Sequence, residues 1–232
     1  SRKIDFYLPL NLVILAAAVV NSAFHSKSQF KGEISVPKGH NKTMFIPTGT
    51  EESIKFLWGE RTFVMGIVNT SPDSFSGDGI HDNVQTAVDQ ALRFEEEGAD
   101  IIDIGGESTR SFAGKPVYEP ITEEEELRRV IPVLEKVVSM VKVPVSIDTY
   151  KSGVAKRAID AGVSMLNDIW GLQHDYRIAS LAAEYKLPIV LMHNQKDTEY
   201  VDLISDVKKA LSRTIAYALE MGISRENIIL DP

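Results

Sequence analysis

The feature that most constrains the fold is a regular alternation of short apolar runs with amphipathic segments, which begins near residue 63. Six runs start near positions 63, 100, 143, 163, 188 and 228, about 33 residues apart on average. The segment after the first run places Val84, Ala87 and Ala91 at helical spacing. Apolar strands that alternate with helices indicate a parallel sheet covered on both faces. The sequence therefore predicts an α/β fold.

The spacing alone does not separate a closed barrel from an open doubly wound sheet. Barrels of this kind usually take about 250 residues. At the observed spacing, eight units would need about 264 residues from position 63, and the 232-residue chain ends before the last two. If the fold is a (β/α)8 TIM barrel, we expect it to be incomplete here, with about six strands present.

Polar residues follow every predicted strand, and this pattern favours the barrel. The strand ends carry Asn69, Gly105–Arg110, Asp148, Asn167, His193 and Asp231. One such residue would be weak evidence, because the same residue types cap helices in short loops. Ligands of parallel α/β proteins bind at the carboxyl ends of the strands, and six polar ends suggest that all converge on one barrel mouth.

The residue types at these ends narrow the ligand. Asp148, Asn167 and Asp231 are rich in hydrogen-bond acceptors, which suits a heterocycle with several N–H groups along one edge. Arg110 carries a guanidinium that can hold a phosphate or a carboxylate. The sequence therefore predicts a site that works by positioning and electrostatics rather than by covalent catalysis.

Composition and missing motifs exclude other classes of function. The chain has no cysteine, which removes thiol catalysis and thiolate metal sites. It contains neither a Walker motif nor G-x-G-x-x-G, so nucleotide binding through those loops is not indicated. Its net charge of −8 does not indicate a basic surface that would bind nucleic acid.

Asn69 and Asp73 offer hard oxygen atoms of the kind that hold Mg²⁺ beside a diphosphate.

Six stretches at the strand ends closely resemble the signatures of the dihydropteroate synthases. Residues 65–76 read MGIVNTSPDSFS and residues 98–110 read GADIIDIGGESTR. The later stretches SIDTYK, NDIWG, LMHN and NIILDP, which begin at residues 146, 167, 191 and 227, follow in the order of that family. The resemblance covers residues 63–232 and implies a (β/α)8 TIM barrel.

The resemblance also implies an activity. Members condense 4-aminobenzoate with (7,8-dihydropterin-6-yl)methyl diphosphate in folate biosynthesis, with Mg²⁺, at a step that sulfonamides block. The implied mechanism is dissociative, so that diphosphate leaves first and the amine captures a pterin-methyl cation. The residues assigned in this way are Asn69, Asp73 and Arg110 for catalysis, with Asn69 also as the metal ligand, Thr109, Asp148, Asn167, Met192 and Asp231 for the pterin, and Phe75 and Ser111 for 4-aminobenzoate.

The chain departs from the family pattern at three places. Residues 76–79 read SGDG where the family has Ser-Asp-Gly-Gly, and Ser111-Phe112 replaces Pro-Gly. Because proline fixes φ and serine does not, we expect a changed loop and a changed sulfonamide affinity. The later Ser-Arg-Lys and Arg-x-His motifs do not occur in these 232 residues. We therefore expect the chain to be truncated at its C-terminus and inactive alone.

The first fifty residues carry no family motif. We predict an N-terminal extension of unknown role over residues 1–50 and an incomplete pterin-binding domain over 51–232. The apolar run 12–20 follows Arg2 and Lys3, as in a secretory signal, but a buried helix or strand is the favoured interpretation. Short runs at 33–36 and 44–46 predict one or two hairpins.

Several polar residues permit a structural interpretation. Asp103 is either a catalytic acid or a buried structural residue, and we expect Asp168 to point away from the site or to cap a helix. The four glutamates at 123–126 begin a predicted helix, where the helix dipole stabilises negative charge, and we predict that they are exposed to solvent. His193 is expected to be structural or to line the substrate site, since no second histidine or cysteine lies near it in the sequence.

The resemblance further implies small-molecule substrates, a homodimer when full length and a cytoplasmic location, without nucleic-acid or membrane partners. Two alternatives stay open. One is a catalytically silent pterin-binding paralogue or relic. The other is a methyltetrahydrofolate:corrinoid methyltransferase, which shares acceptors resembling Asp148 and Asn167 but needs neither of the loops at 69–75 and 107–110 in this form.

Overall fold

The structure, a computed structural model, describes only part of the chain. The described residues are 16–18, 42–48, 53–58, 61–70, 80–107, 111–112, 115–116, 120–195 and 199–232. The predicted site residues Asp73, Phe75, Thr109 and Arg110 lie outside these ranges, as do the altered loop 76–79 and the short run 33–36.

Eleven strands and five helices occur in the described residues. The strands are β1 (Ala16–Ala18), β2 (Lys42–Pro47), β3 (Ser53–Trp58), β4 (Val64–Asn69), β5 (Ile101–Gly105), β6 (Ser111–Phe112), β7 (Lys115–Pro116), β8 (Val145–Asp148), β9 (Met165–Asp168), β10 (Ile189–Met192) and β11 (Ile228–Asp231). The helices are α1 (Ile80–Glu96), α2 (Glu123–Met140), α3 (Ser152–Asp160), α4 (Arg177–Glu184) and α5 (Leu203–Glu220).

The predicted alternation of strands and helices is confirmed. One parallel sheet has the order β1-β4-β5-β8-β9-β10-β11, and a helix separates each pair of successive strands from β4 onward. The Thr122 side chain caps the N-terminus of α2, where it accepts a hydrogen bond from the Glu125 N–H at 3.2 Å. Asp202 caps α5 in the same way through the Ser205 N–H at 2.7 Å.

The two faces of the sheet differ because side chains alternate along each strand. One face carries residues such as Ile102, Ile147 and Leu191, which pack with the helices in the larger apolar core. The other face, called here the inner face, carries a smaller apolar cluster near the amino ends of the strands. That cluster contains Met65, Ile101, Met165, Val190 and Ile229, together with residues of the β2–β3 hairpin.

The hairpin closes the apolar end of the inner face. Strands β2 and β3 pair antiparallel, and Ile46, Phe56 and Trp58 are buried. The Phe56 and Trp58 rings stack with centroids 5.3 Å apart. The hairpin predicted from the run 44–46 is therefore confirmed by the pairing of β2 with β3. The division of the chain at residue 50 stays a prediction.

The N-terminal apolar run contributes a strand, in agreement with the favoured interpretation. Residues Ala16–Ala18 pair in parallel with β4, with Ala16 opposite Val64. No helix in the described ranges is both long and apolar enough to cross a membrane.

Candidate active site

The strand ends bring three predicted site residues into one row on the inner face. Asn69 on β4 is in register with Gly105 on β5, Gly105 with Asp148 on β8, and Asp148 with Asn167 on β9. Residues in register on parallel strands project from the same face of the sheet. On the next pair of strands, Met192 lies opposite Asp231. The described fold thus gathers these polar strand ends at the carboxyl side of the inner face, and we call this end of the face the mouth.

Gly105 leaves space in the middle of this row. A Cβ atom built on Gly105 would lie 3.4 Å from Asp148 Oδ2 and 3.7 Å from Asn69 Oδ1. Both oxygens therefore border the volume that a side chain at position 105 would fill. The mouth of the inner face is open at this point because the residue is a glycine.

A buried carboxylate lies one layer below the row. Asp103 is 1% exposed, and its two oxygens accept hydrogen bonds from Ser146 Oγ at 2.5 Å and from Asn167 Nδ2 at 3.1 Å. This environment agrees with the structural interpretation of Asp103. Burial raises its pKa, although these hydrogen bonds partly oppose the change.

The mouth is an acidic environment without a paired cation. Burial raises the pKa of Asp148 well above its usual value, and the neighbouring charges of Asp103 and Glu126 raise it further. Burial also raises the pKa of Asp231. Within the described part of the chain, no ion pair involves Asp103, Asp148 or Asp231. Such a site favours ligands that donate N–H groups or carry positive charge.

A second acidic cluster, which we call the Lys151 cluster, consists of Lys151, Glu107, Glu126 and Tyr150. The Lys151 ammonium donates to Glu107 Oε2 at 2.7 Å and to Glu126 Oε2 at 2.5 Å. The Tyr150 hydroxyl donates to Glu107 Oε1 at 2.9 Å. The prediction that residues 123–126 are solvated is wrong for Glu126, which is 1% exposed.

The burial of Glu126 is indicated by its position on the helix, although its place among four consecutive glutamates suggests a solvent-exposed side chain. Glu126 lies four positions before Val130 and eight before Leu134, on the buried stripe of α2. Burial raises the pKa of Glu126, and the hydrogen bond from Lys151 only partly offsets this effect. Burial disfavours the Lys151 ammonium, but its two carboxylate partners outweigh that cost and raise the pKa of Lys151.

The turn after β9 is held by Asp168 and packs against the end of β10. Asp168 accepts hydrogen bonds from the Trp170 N–H at 2.9 Å and the Leu172 N–H at 2.7 Å, so it caps this turn and not a helix. Burial raises the pKa of Asp168 to about 6. Gly171 has a φ of 55°, and a Cβ there would lie 2.7 Å from the Met192 carbonyl oxygen. This turn therefore requires glycine to pack against the end of β10.

His193 follows β10 and contacts the end of β11. Its backbone N–H donates to the Asp231 carbonyl at 2.8 Å, and its ring Nε2 lies 3.2 Å from the Tyr200 hydroxyl. Among the described residues, no group of three or more His, Cys, Asp or Glu side chains could hold a metal ion. Ser111 lies in β6, where it pairs with Pro116.

Comparison with known proteins gives the family. The model of the pterin-binding enzymes matches residues 65–232. The dihydropteroate synthase of Bacillus subtilis is 49% identical over 173 residues, which are 75% of this chain and 59% of that enzyme. This chain belongs to the dihydropteroate synthase family. It spans less than two thirds of the length of the Bacillus subtilis relative.

Solved structures of the family agree with the fold. The Xanthomonas albilineans synthase with 4-aminobenzoic acid has a TM-score of 0.73 and 39% identity, over 82% of this chain and 67% of that one. The same enzyme in complex with 7,8-dihydropteroate has a TM-score of 0.66 and 40% identity, over 75% of this chain and 61% of that one. These similarities confirm the predicted incomplete TIM-barrel fold, since the described sheet is open between β1 and β11.

Proposed function

We propose that the protein condenses 4-aminobenzoate with (7,8-dihydropterin-6-yl)methyl diphosphate to give dihydropteroate and diphosphate. The observation that carries this proposal is the row of Asn69, Asp148 and Asn167 around the space at Gly105, with no paired cation in the described residues. Acceptors in this arrangement suit a pterin edge, which displays an amino group and ring N–H groups. The family supports the same ligand.

In this proposal, each residue of the mouth has a binding role. Asp148, Asn167 and Asp231 accept hydrogen bonds from the pterin, and Met192 packs against the face of the ring. Thr109 assists pterin binding, while Arg110 and Asp73 act near the diphosphate. Phe75 and Ser111 belong to the loops that hold 4-aminobenzoate. These roles rest on the sequence motifs, and 4-aminobenzoic acid is bound by the similar synthase of Xanthomonas albilineans.

The electrostatics of the mouth suit the bond changes of this reaction. The C–O bond between the pterin methylene and the diphosphate breaks, and a C–N bond forms to the amine of 4-aminobenzoate, which then loses a proton. Positive charge develops on the pterin-methyl group as diphosphate leaves. The carboxyl oxygens of Asp103 and Asp148 lie at and below the mouth, and such preorganised polar groups favour the cationic state.

Mg²⁺ fits the residues only in a limited way. Asn69 supplies one amide oxygen at the mouth, and Mg²⁺ commonly takes one or two protein oxygens together with waters and substrate phosphates. Asn69 would therefore hold the ion together with the diphosphate. When bound, Mg²⁺ would neutralise charge on the diphosphate.

Isothermal titration calorimetry with 6-hydroxymethyl-7,8-dihydropterin tests the binding half of the proposal. We expect one pterin per chain and at least a tenfold loss of affinity in Asp148→Ala, because a hydrogen bond to a charged group contributes about 1.5–3 kcal/mol. Asp160→Ala, at the exposed end of α3, should bind as the wild type does. Unaltered binding by Asp148→Ala would contradict the proposal.

Complementation of a strain that lacks dihydropteroate synthase, with the complete reading frame, tests the reaction itself. Growth without folate products supports a synthase, whereas pterin binding without growth indicates the silent paralogue. Methyl transfer from methyltetrahydrofolate to a corrinoid acceptor would instead support the methyltransferase.

A homodimer and a cytoplasmic location complete the proposal, and both follow from the family resemblance. Light scattering of the full-length protein behind a sizing column tests the first, with twice the mass of its single chain expected. Cell fractionation tests the second.

A further inference from the structure

The inference concerns the contact between Asp103 and Asn167 beneath the mouth. Asp103 projects from β5, is 1% exposed, and accepts from two side chains, Ser146 on the neighbouring β8 and Asn167 on β9 beyond it. Ser146 Oγ is 2.5 Å from one carboxylate oxygen, and Asn167 Nδ2 is 3.1 Å from the other. Both oxygens of this buried group are therefore engaged by side chains.

The chemistry of these three groups orients the Asn167 amide. The Ser146 hydroxyl has one proton, and its other acceptor, the Ile102 carbonyl, lies at 3.4 Å. That proton therefore points to Asp103. Asn167 Nδ2 donates to the second carboxyl oxygen, so the NH2 end of the Asn167 amide faces Asp103, which as a carboxylate has only acceptors to offer. The carbonyl oxygen of Asn167 must then lie on the opposite side of the amide.

The row geometry defines what that side borders. Asn167 is partly exposed and is in register with Asp148 at the carboxyl end of the inner face. We propose that Asp103 is a positioning residue that holds the Asn167 amide with its oxygen toward the mouth, and so selects ligands that present N–H there. This inference rests on the proposed pterin site, because Asn167 acts on the ligand in that proposal.

The next residue along β9 provides a matched control. Asp168 is as buried as Asp103, at 1% exposure, and also accepts two hydrogen bonds, but both come from backbone N–H groups. It therefore holds a turn without orienting a side-chain amide. Asp103→Asn and Asp168→Asn make the same chemical change at two buried carboxylates with different partners.

The test compares two bicyclic ligands by isothermal titration calorimetry. Pterin carries an amino group at position 2, where lumazine carries an oxo group, so the pair differs in donor against acceptor at that edge. In Asp103→Asn, the new amide can face Asn167 with either end, so the Asn167 amide loses its fixed orientation. We expect the preference for pterin over lumazine to fall by about fivefold or more, as expected for about one net hydrogen bond.

The outcomes separate this inference from the proposed function. In Asp168→Asn, the preference for pterin should stay within twofold of wild type, even where the protein is less stable. A folded Asp103→Asn protein with the wild-type preference would overturn the inference and leave the pterin site standing. Absence of pterin binding by the wild-type chain would overturn the proposed site, and the inference with it.

A measurement on the wild-type chain covers the case in which Asp103→Asn does not fold. The side-chain NH2 resonances of Asn167, assigned by their loss in Asn167→Asp, report the same contact. Slow exchange of these protons with solvent before pterin is added is the expected result, since the NH2 group is bonded to a buried carboxylate. Fast exchange would contradict the assigned orientation.

Discussion

The two buried acidic clusters of this protein differ in how their charge is compensated. In the Lys151 cluster, two carboxylates share one ammonium and a tyrosine hydroxyl. At the mouth, Asp103 and Asp148 have only neutral partners or none among the residues that the structure describes, and their pKa values are raised. Compensated charge is the arrangement of a structural clamp, whereas uncompensated charge is kept where a ligand supplies the missing donors.

The clamp has a definite position next to the site. Arg129 of α2 donates to the Gly106 carbonyl at 3.0 Å, directly before Glu107 in the chain. A Cβ on Gly106 would lie 2.8 Å from Val130 and 2.9 Å from Glu126. Helix α2 therefore packs tightly against the chain that leaves β5, and the Lys151 cluster holds that segment to the end of β8.

The largest effect that would test this contrast is expected in Lys151→Met. The change leaves two buried carboxylates without their cation, so the free energy of unfolding should fall by ~3 kcal/mol. Urea denaturation followed by circular dichroism measures it. The control is Lys156→Met, which removes an exposed ion pair with Asp160 and should have a much smaller effect. Equal losses in both variants would show that the Lys151 cluster contributes no more than a surface pair.

Asp148→Asn should not lower the free energy of unfolding at pH 7, because it removes one of two neighbouring carboxylates, Asp103 and Asp148, whose negative charges repel each other. The folded-state pKa of Asp148 is raised, so between its unfolded value of about 4 and its folded value the native state binds more protons than the unfolded state. The free energy of unfolding of the wild type should therefore fall as the pH rises from 5 to 7. Asp168, whose pKa is raised to about 6, acts in the same direction.

Urea denaturation at pH 5 and pH 7 measures this dependence. The decrease in Asp148→Asn should be smaller than in the wild type, and at pH 7 the variant should be no less stable. The lowered pKa values of Glu125 and Asp175 act below about pH 4.5, outside this range. An identical pH dependence in the two proteins would mean that Asp148 is not destabilised by its surroundings.

Tyr150→Phe should have the smallest effect, since Lys151 still compensates Glu107. The variant loses one hydrogen bond to Glu107, which corresponds to about 1 kcal/mol of unfolding free energy. Tyr176→Phe, at a side chain that is largely exposed, is the matched control. A loss in Tyr150→Phe as large as that in Lys151→Met would assign the clamp to the tyrosine instead of the ammonium.

The sequence supplied much of the fold because its strands and helices follow local patterns. Strand starts and the alternation of strands with helices were predictable from apolar spacing. The apolar stripe of α2 includes Glu126, but its partner Lys151 is 25 residues away, so the sequence did not show which cation compensates the carboxylate. The roles of Asp73, Phe75, Thr109 and Arg110 stay predictions, since they lie outside the described residues.

By itself, the sequence determined the family, the order of strands and helices, and the polar residues at the strand ends. Those features are written in motifs and in periodic spacing, which need no long-range contact to be recognised. Only the tertiary structure decided which acids are compensated, which end of the Asn167 amide faces Asp103, and that Gly105 leaves the space between Asp148 and Asn69. The reason is physical, because charge compensation, amide orientation and open volume depend on atoms from different strands that meet only in the folded chain.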